Sequence, residues 1–227
     1  MTKGGVIITA SHNSRDFNGA KMSVDYSQTM VTEEIEELRN TIEKGVFSKG
    51  LGHTTKKDVF PQYKKQLVSR FNFKKKWKIV IDGCNSTSGL FYPDIFRSAG
   101  CTVIEQNTKP DGNFPLGVPD PSDNRVLKRL ATGVVKHKAD IGLAFDADGD
   151  RLAVVDEKGT VLWMDTIVAL YAKNVLKHNP GSPIVFNTYC SRQVSETIIA
   201  NGGKPIMWLV GHSFIKYTMK RINAIFA

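Results

Sequence analysis

Ile141-Gly142-Leu143-Ala144-Phe145-Asp146-Ala147-Asp148-Gly149-Asp150-Arg151-Leu152-Ala153-Val154-Val155-Asp156 sets two largely apolar runs on either side of an acidic turn. Short, β-branched or aromatic runs bounded by a Gly/Asp cluster read as strands, here over 141–145 and 152–156. Working backwards from them, the sequence predicts a helix over 124–137, a strand over 101–105, a helix near 89–99, a strand over 78–82 and a helix over 59–70. Working forwards, Glu157-Lys158-Gly159 is a turn into Thr160-Val161-Leu162. A helix over 165–177, a strand over 184–186, a helix over 191–200, a strand over 206–209 and a helix over 214–222 follow. Strands alternating with helical patterns in this way argue for layered α/β architecture.

The first fifty residues carry less. Val6-Ile7-Ile8 reads as a strand entering a polar loop over 9–18, and Val31, Ile35, Leu38 and Ile42 recur at helical spacing. Thr32 is placed to cap that helix, Glu33-Glu34 suit its positive end, and it is expected to stop near Gly45. Residues 49–58, rich in Gly, Thr and Lys, read as a linker. One strand and one helix are too little to bury a core, so material is expected to be missing at both ends of the chain.

Composition narrows the function classes. At 227 residues and 41% hydrophobic content the chain can bury cores, and no apolar run is long enough to cross a bilayer. With no signal-peptide pattern behind Met1, a cytoplasmic protein without membrane partners is expected. Cys84, Cys101 and Cys190 are odd in number and lack CxxC spacing, which favours buried thiols over disulfides or a zinc site. The net charge of +9 suits anionic partners, but Lys56-Lys57, Lys64-Lys65 and Lys74-Lys75-Lys76 lack the interleaved aromatics of a single-strand platform. They read as solvated faces, and no nucleic-acid partner is expected.

Three motifs carry chemistry. In Thr9-Ala10-Ser11-His12-Asn13, a serine at a strand-to-loop transition stands beside His12 and near Lys21. That suits an activated nucleophile or a covalent phosphate carrier, although polar loops also hold such residues as turn formers. Asp146, Asp148 and Asp150 alternate in one tight loop, where mutual repulsion is relieved by a hard cation. Oxygen ligands with room for water point to Mg2+, against the alternatives of a solvated acidic turn or an EF-hand calcium loop. The EF-hand reading is weak because Arg151 stands at its sixth position and strands flank it. Gly211-His212-Ser213-Phe214-Ile215-Lys216 follows a strand and opens a helix, so its free N–H groups with His212 and Lys216 suit a phosphorylated sugar. Taken alone, it reads more readily as Ser213 capping a helix beside a surface histidine.

In this order the motifs resemble the phosphohexomutases, in particular the bacterial phosphomannomutase/phosphoglucomutase branch. Gly4-Gly5-Val6-Ile7-Ile8-Thr9-Ala10-Ser11-His12-Asn13 is similar to the family's phosphoserine loop. Asp111-Gly112-Asn113-Phe114-Pro115 with Pro119-Asp120-Pro121 is similar to its inter-motif signature, and Gly142-Leu143-Ala144-Phe145 leads into a similar metal loop. The resemblance implies mixed-sheet α/β/α layered domains truncated at both ends. Residues 1–48 correspond to the last part of domain I, 49–158 to domain II and 159–227 to the first part of domain III, with domain IV absent. It implies reversible phosphoryl transfer between C1 and C6 of mannose or glucose phosphate, through a phosphoserine and a bisphosphorylated sugar. Ser11 would carry the phosphoryl group, and Ser11, Asp146, Asp148 and Asp150 would hold Mg2+. Arg151 would add positive charge, Lys21 would serve as acid/base and His12 would support the serine. Gly211, His212, Ser213 and Lys216 would face the sugar, and glucose or mannose 1,6-bisphosphate would act as activator.

Departures are visible too. Ser14 stands where the family usually has proline, and Asn187 and Tyr189 stand where it commonly places an aspartate and a basic residue. With the sugar-selecting loop and the distal-phosphate loop absent, the chain alone is expected to be inactive or weakly active, since positioning is most of phosphoryl-transfer catalysis. The alternatives are a non-catalytic phosphosugar- and Mg2+-binding remnant, or one piece of a split mutase completed by a separate chain.

Overall fold

In the computed structural model, which describes residues 4–24 and 28–227, the chain opens with β1 (Gly4–Ile8), β2 (Ala20–Val24), β3 (Gln28–Thr29) and α1 (Thr32–Lys44). Then come α2 (Phe60–Val68), β4 (Lys78–Asp82), α3 (Tyr92–Ser98), β5 (Thr102–Gln106), α4 (Asn124–His137), β6 (Ile141–Phe145), β7 (Leu152–Asp156) and β8 (Val161–Leu162). The chain continues as α5 (Met164–His178), β9 (Pro183–Asn187), α6 (Arg192–Ala200), β10 (Lys204–Trp208) and α7 (His212–Ile222). Contacts divide it into two units, one running to Gln28 and resuming over Thr32–Val161, the other made of Thr29–Val31 and Leu162–Ala227. None of the described helices is long and apolar enough to cross a membrane.

The first unit centres on a mixed sheet of order β5-β4-β6-β7-β8. β4 pairs in parallel with both β5 and β6, while β6 and β7 run antiparallel with Phe145 opposite Leu152. Strand alternation splits the side chains between two faces. Val80, Ala144, Ala153 and Val155 pack with Val126, Leu127, Leu130 and Val134 of α4. On the other face the Phe145 ring stacks at 3.9 Å on Tyr92 at the start of α3. Helices therefore cover both sides, which is why the strands read as continuous apolar runs. α4 is set by its ends: the Asp123 carboxylate accepts from Arg125 N at 2.7 Å, and Lys138 closes the helix in a left-handed conformation.

Two expectations need correction here. Among the described residues, the region before the linker holds three strands rather than one, because 20–24 returns antiparallel to β1 with Ile8 opposite Ala20. α3 begins at Tyr92 rather than near 89, because a 3-10 turn over Thr87–Leu90 precedes it and Pro93 sits in its first turn. The β1 side chains Val6, Ile7 and Ile8 are exposed, and α1 buries none of its residues.

Gly89 is needed for a close approach, since a methyl group there would run into the backbone carbonyl of Thr108. Gly89→Ala is expected to cost about 1–3 kcal/mol, read as a lower urea midpoint at unchanged slope. An unaltered midpoint would show that the segment yields freely.

In the second unit β9 and β10 pair in parallel, and Phe226 bridges Ile184. Ala169, Ala172 and Leu176 of α5 pack with Ile184, Phe186, Val194 and Ile198.

Candidate active site

The C-terminal ends of parallel β4 and β6 lie at the same edge of the sheet, where open α/β sheets bind ligands. Beyond β6 the chain turns through 146–151 and returns as β7. Asp146 N donates to Arg151 O, Gly149 N donates to Asp146 O, and Arg151 N donates to the Asp146 carboxylate at 3.2 Å. Gly149 takes φ +75°, in the left-handed region that favours glycine. These constraints turn the carboxylates of Asp146, Asp148 and Asp150 together, with one oxygen from each within 4.8 Å of the others.

The serine loop meets this turn within the same unit. It joins β1 to β2 and is closed by Thr9 N donating to Gly19 O at 3.0 Å. Ser11 takes φ 55°, an uncommon conformation for a residue with a side chain, and its N–H donates to Thr9 Oγ1 at 2.9 Å. Ser11 Oγ lies 3.5 Å from Asp146 Oδ2 and 3.3 Å from His12 Nδ1. Thr9 Oγ1 donates to Asp148 Oδ2 at 2.9 Å. Lys21, carried by β2, reaches Asp148 at 2.7 Å and Asp150 at 2.6 Å. Farther along the loop Arg15 donates to Asn113 at 3.2 Å, which brings the Asp111–Pro115 stretch to the rim.

Charge is unevenly held. Burial, aided by the charges of Asp150 and Asp148, pushes the Asp146 carboxyl up to about 6 against the bond from Arg151 N. Burial also opposes ionisation of Asp148, but hydrogen bonds from Lys21 and Thr9 outweigh it and hold that carboxyl below its usual range. For Lys21 burial works towards a lower value, and the two carboxylates overcome it to leave the ammonium above its ordinary value.

The cluster fits a hard divalent cation. Its donors are all oxygens, and Asp148 Oδ1 is buried with no hydrogen-bond partner, a costly condition that a cation would relieve. Such a site would be held by the three aspartates with Ser11 at its edge, which is the donor set of Mg2+ rather than of zinc.

Of the residues singled out by sequence, Ser11, His12, Lys21 and the three aspartates come together, while Arg151 is exposed at the end of the acid loop. Gly211, His212, Ser213 and Lys216 belong to the second unit. There Gly211, at φ 130°, precedes the helix, so Ser213 lies inside its first turn rather than capping it. Thr9 went without a role in the sequence reading, although it stands two residues before Ser11 in the same motif. Ser86, Thr87 and Tyr92 were also missed, and no sequence signal marks them beyond a run of hydroxyl residues.

Comparison with known proteins identifies related chains. Residues 1–49, 61–159 and 163–227 match alpha/beta/alpha domains I, II and III of phosphoglucomutase/phosphomannomutase. A phosphomannomutase/phosphoglucomutase of Pseudomonas aeruginosa is 41% identical over 225 residues, covering 99% of this chain and 48% of that protein. The crystal structure of a phosphoglucomutase/phosphomannomutase family protein from Burkholderia thailandensis superposes with a TM-score of 0.93 at 34% identity, over 97% of this chain and 48% of that one. An Aspergillus fumigatus N-acetylphosphoglucosamine mutase, solved with GlcNAc-6P and magnesium, shares the fold at a TM-score of 0.65 and 15% identity, over 98% of this chain and 59% of that one. The chain thus spans about half the length of the curated relatives it matches.

Proposed function

Because the chain belongs to the phosphoglucomutase/phosphomannomutase family, we propose that it carries the phosphoserine and magnesium half of a phosphohexomutase active site. The reaction is reversible transfer between C1 and C6 of mannose or glucose phosphate. The observation that supports this reading is the 3.5 Å separation of Ser11 Oγ and Asp146 Oδ2, residues 135 positions apart in the chain.

In the forward transfer the bond between Ser11 Oγ and phosphorus breaks, and a sugar hydroxyl oxygen bonds to phosphorus, giving a bisphosphorylated hexose. The hydroxyl proton leaves to a base, and Ser11 Oγ regains a proton. The second transfer reverses these changes at the other phosphoryl group. Lys21, cationic and within the carboxylate cluster, is the candidate to give its proton to Ser11 Oγ as that bond breaks and, then neutral, to take up the sugar hydroxyl proton. His12 orients the Ser11 hydroxyl, and Arg151 extends positive charge to the phosphoryl oxygens. Asp146, Asp148 and Asp150 would hold Mg2+, which would supply the charge neutralisation that phosphoryl transfer needs more than covalent help. Gly211, His212, Ser213 and Lys216 are assigned to the sugar, and glucose or mannose 1,6-bisphosphate is the priming compound. Its free thiols suit a cytoplasmic protein, and a separate chain is the candidate source of the remaining domains.

The test is incubation with glucose 1,6-bisphosphate and Mg2+, followed by intact mass measurement and phosphosite mapping. One phosphoryl group is expected, on Ser11, and modification elsewhere or none at all would overturn the reading. In a coupled assay the 227-residue chain alone is expected to turn over mannose 1-phosphate far below the usual enzyme range of about 1–1000 s⁻¹. Ordinary turnover would show that this half suffices.

A further inference from the structure

The acid loop is held by three hydroxyl groups of the segment that follows β4. Ser86 Oγ donates to Asp146 O at 3.2 Å, Thr87 Oγ1 to Ala147 O at 2.5 Å, and Tyr92 OH to Gly149 O at 2.9 Å. Nothing in the mutase chemistry requires these side chains, because none of their hydroxyls bonds to a carboxylate.

Their placement nevertheless decides where the carboxylates point. Three neighbouring anions repel one another, and a loop left to itself would spread them apart. Each hydroxyl bonds a backbone carbonyl of the loop, which opposes the rotation of peptide planes that would relieve the repulsion. Two of the anchors are themselves held in place. Ser86 is buried, and its single hydroxyl proton is shared between Asp146 O and the nearer Gly83 O at 2.6 Å, which makes it the weakest of the three braces. The Tyr92 ring stacks on Phe145, the residue immediately before the loop. Gly149 completes the fit, because a Cβ at that position would lie 2.9 Å from the Tyr92 hydroxyl.

We infer that Ser86, Thr87 and Tyr92 are positioning residues that hold the acid loop in its cation-binding shape before a cation arrives. This rests on the metal reading of the loop given above. It assigns to a segment remote in sequence the role that outer partners play around metal ligands, where their loss typically lowers affinity by about 10–100-fold.

The experiment uses the full chain and two near-isosteric changes, Thr87→Val and Tyr92→Phe, which delete hydroxyls and keep the packing. Mn2+ serves as a spectroscopic probe of the site, and hydrogen exchange of the metal-free protein reports on loop shape. The double variant is expected to bind Mn2+ about tenfold more weakly, with faster exchange confined to residues 146–151. Thr87→Ser in the Tyr92→Phe background is expected to recover much of both losses. Unchanged affinity and exchange would overturn the inference, as would faster exchange throughout β6 and β7, which marks general loosening. Failure of the unmodified chain to take up Mn2+ would overturn the metal reading itself and this inference with it. Uptake with no response to the variants would remove this inference alone.

Discussion

Asp148→Ala is expected to abolish stabilisation of the protein by Mg2+, with affinity falling by more than the roughly 10–100-fold that loss of an outer partner costs. The reason lies in how its two oxygens are used. Oδ2 is engaged by Thr9 and Lys21, while Oδ1 is buried and unpartnered. A cation would gain a ligand at Oδ1 without breaking either existing bond, so this carboxylate offers the cheapest coordination in the cluster. Without it, Asp146 and Asp150 remain, and the Lys21 ammonium stays on Asp150 at 2.6 Å. A ligand that binds only the folded state raises stability with its concentration. Thermal unfolding with increasing Mg2+ should therefore shift upward in the unmodified protein and stay flat in the variant. Equal shifts in both would remove Asp148 from the ligand set.

Asp82→Ala is expected to cost about 3–5 kcal/mol of stability, the usual consequence of stranding a buried charge. Asp82 ends β4 fully buried and accepts four hydrogen-bond contacts: Arg129 Nε at 2.7 Å, Cys84 N at 2.9 Å, and Asn107 Nδ2 on both oxygens at 3.1 and 3.2 Å. It thereby ties α4, the end of β5 and the turn after β4 to one carboxylate. For Arg129 burial opposes the charged form, and the bond to Asp82 outweighs it. Deleting the acid leaves a partly buried guanidinium with that penalty uncompensated. Replacing both partners, as Asp82→Ala with Arg129→Met, should recover part of the loss because the uncompensated cation goes too. Urea unfolding of the two variants checks this, and a double variant less stable than the single one would refute it.

Much of the fold was legible because signals at several levels agreed. β4, α4, β6 and β7 fall where the sequence predicts them. Each is a strongly patterned apolar segment bounded by Asp, Asn or Gly, and the sheet buries both faces of its central strands. β2 escaped because it is short and follows a loop of eleven residues, 9–19, whose polarity masks where pairing resumes. Its alternation of Ala20, Met22 and Val24 with Lys21 and Ser23 was the available clue. The strand matters, since it is what carries Lys21 to the carboxylates.

At the site, Ser11 and the acid triplet announce themselves by type and spacing. Their separation of 3.5 Å is a tertiary fact that no local pattern contains. The hydroxyls of Thr9, Ser86, Thr87 and Tyr92 were illegible for the same reason. A threonine or tyrosine becomes a brace only when a particular carbonyl faces it, and that depends on which loops emerge at the same edge of the sheet.

Lys21 gives the acid loop a tethered counterion of its own. Any divalent ion entering the loop competes with an ammonium already in place, so the measured affinity is a difference between two electrostatic attachments. The ammonium is not released to solvent but stays on its strand, still held at Oδ2 of Asp148 while its second partner, Asp150, is drawn to the ion. Loading the site and loosening its amine would then be one event.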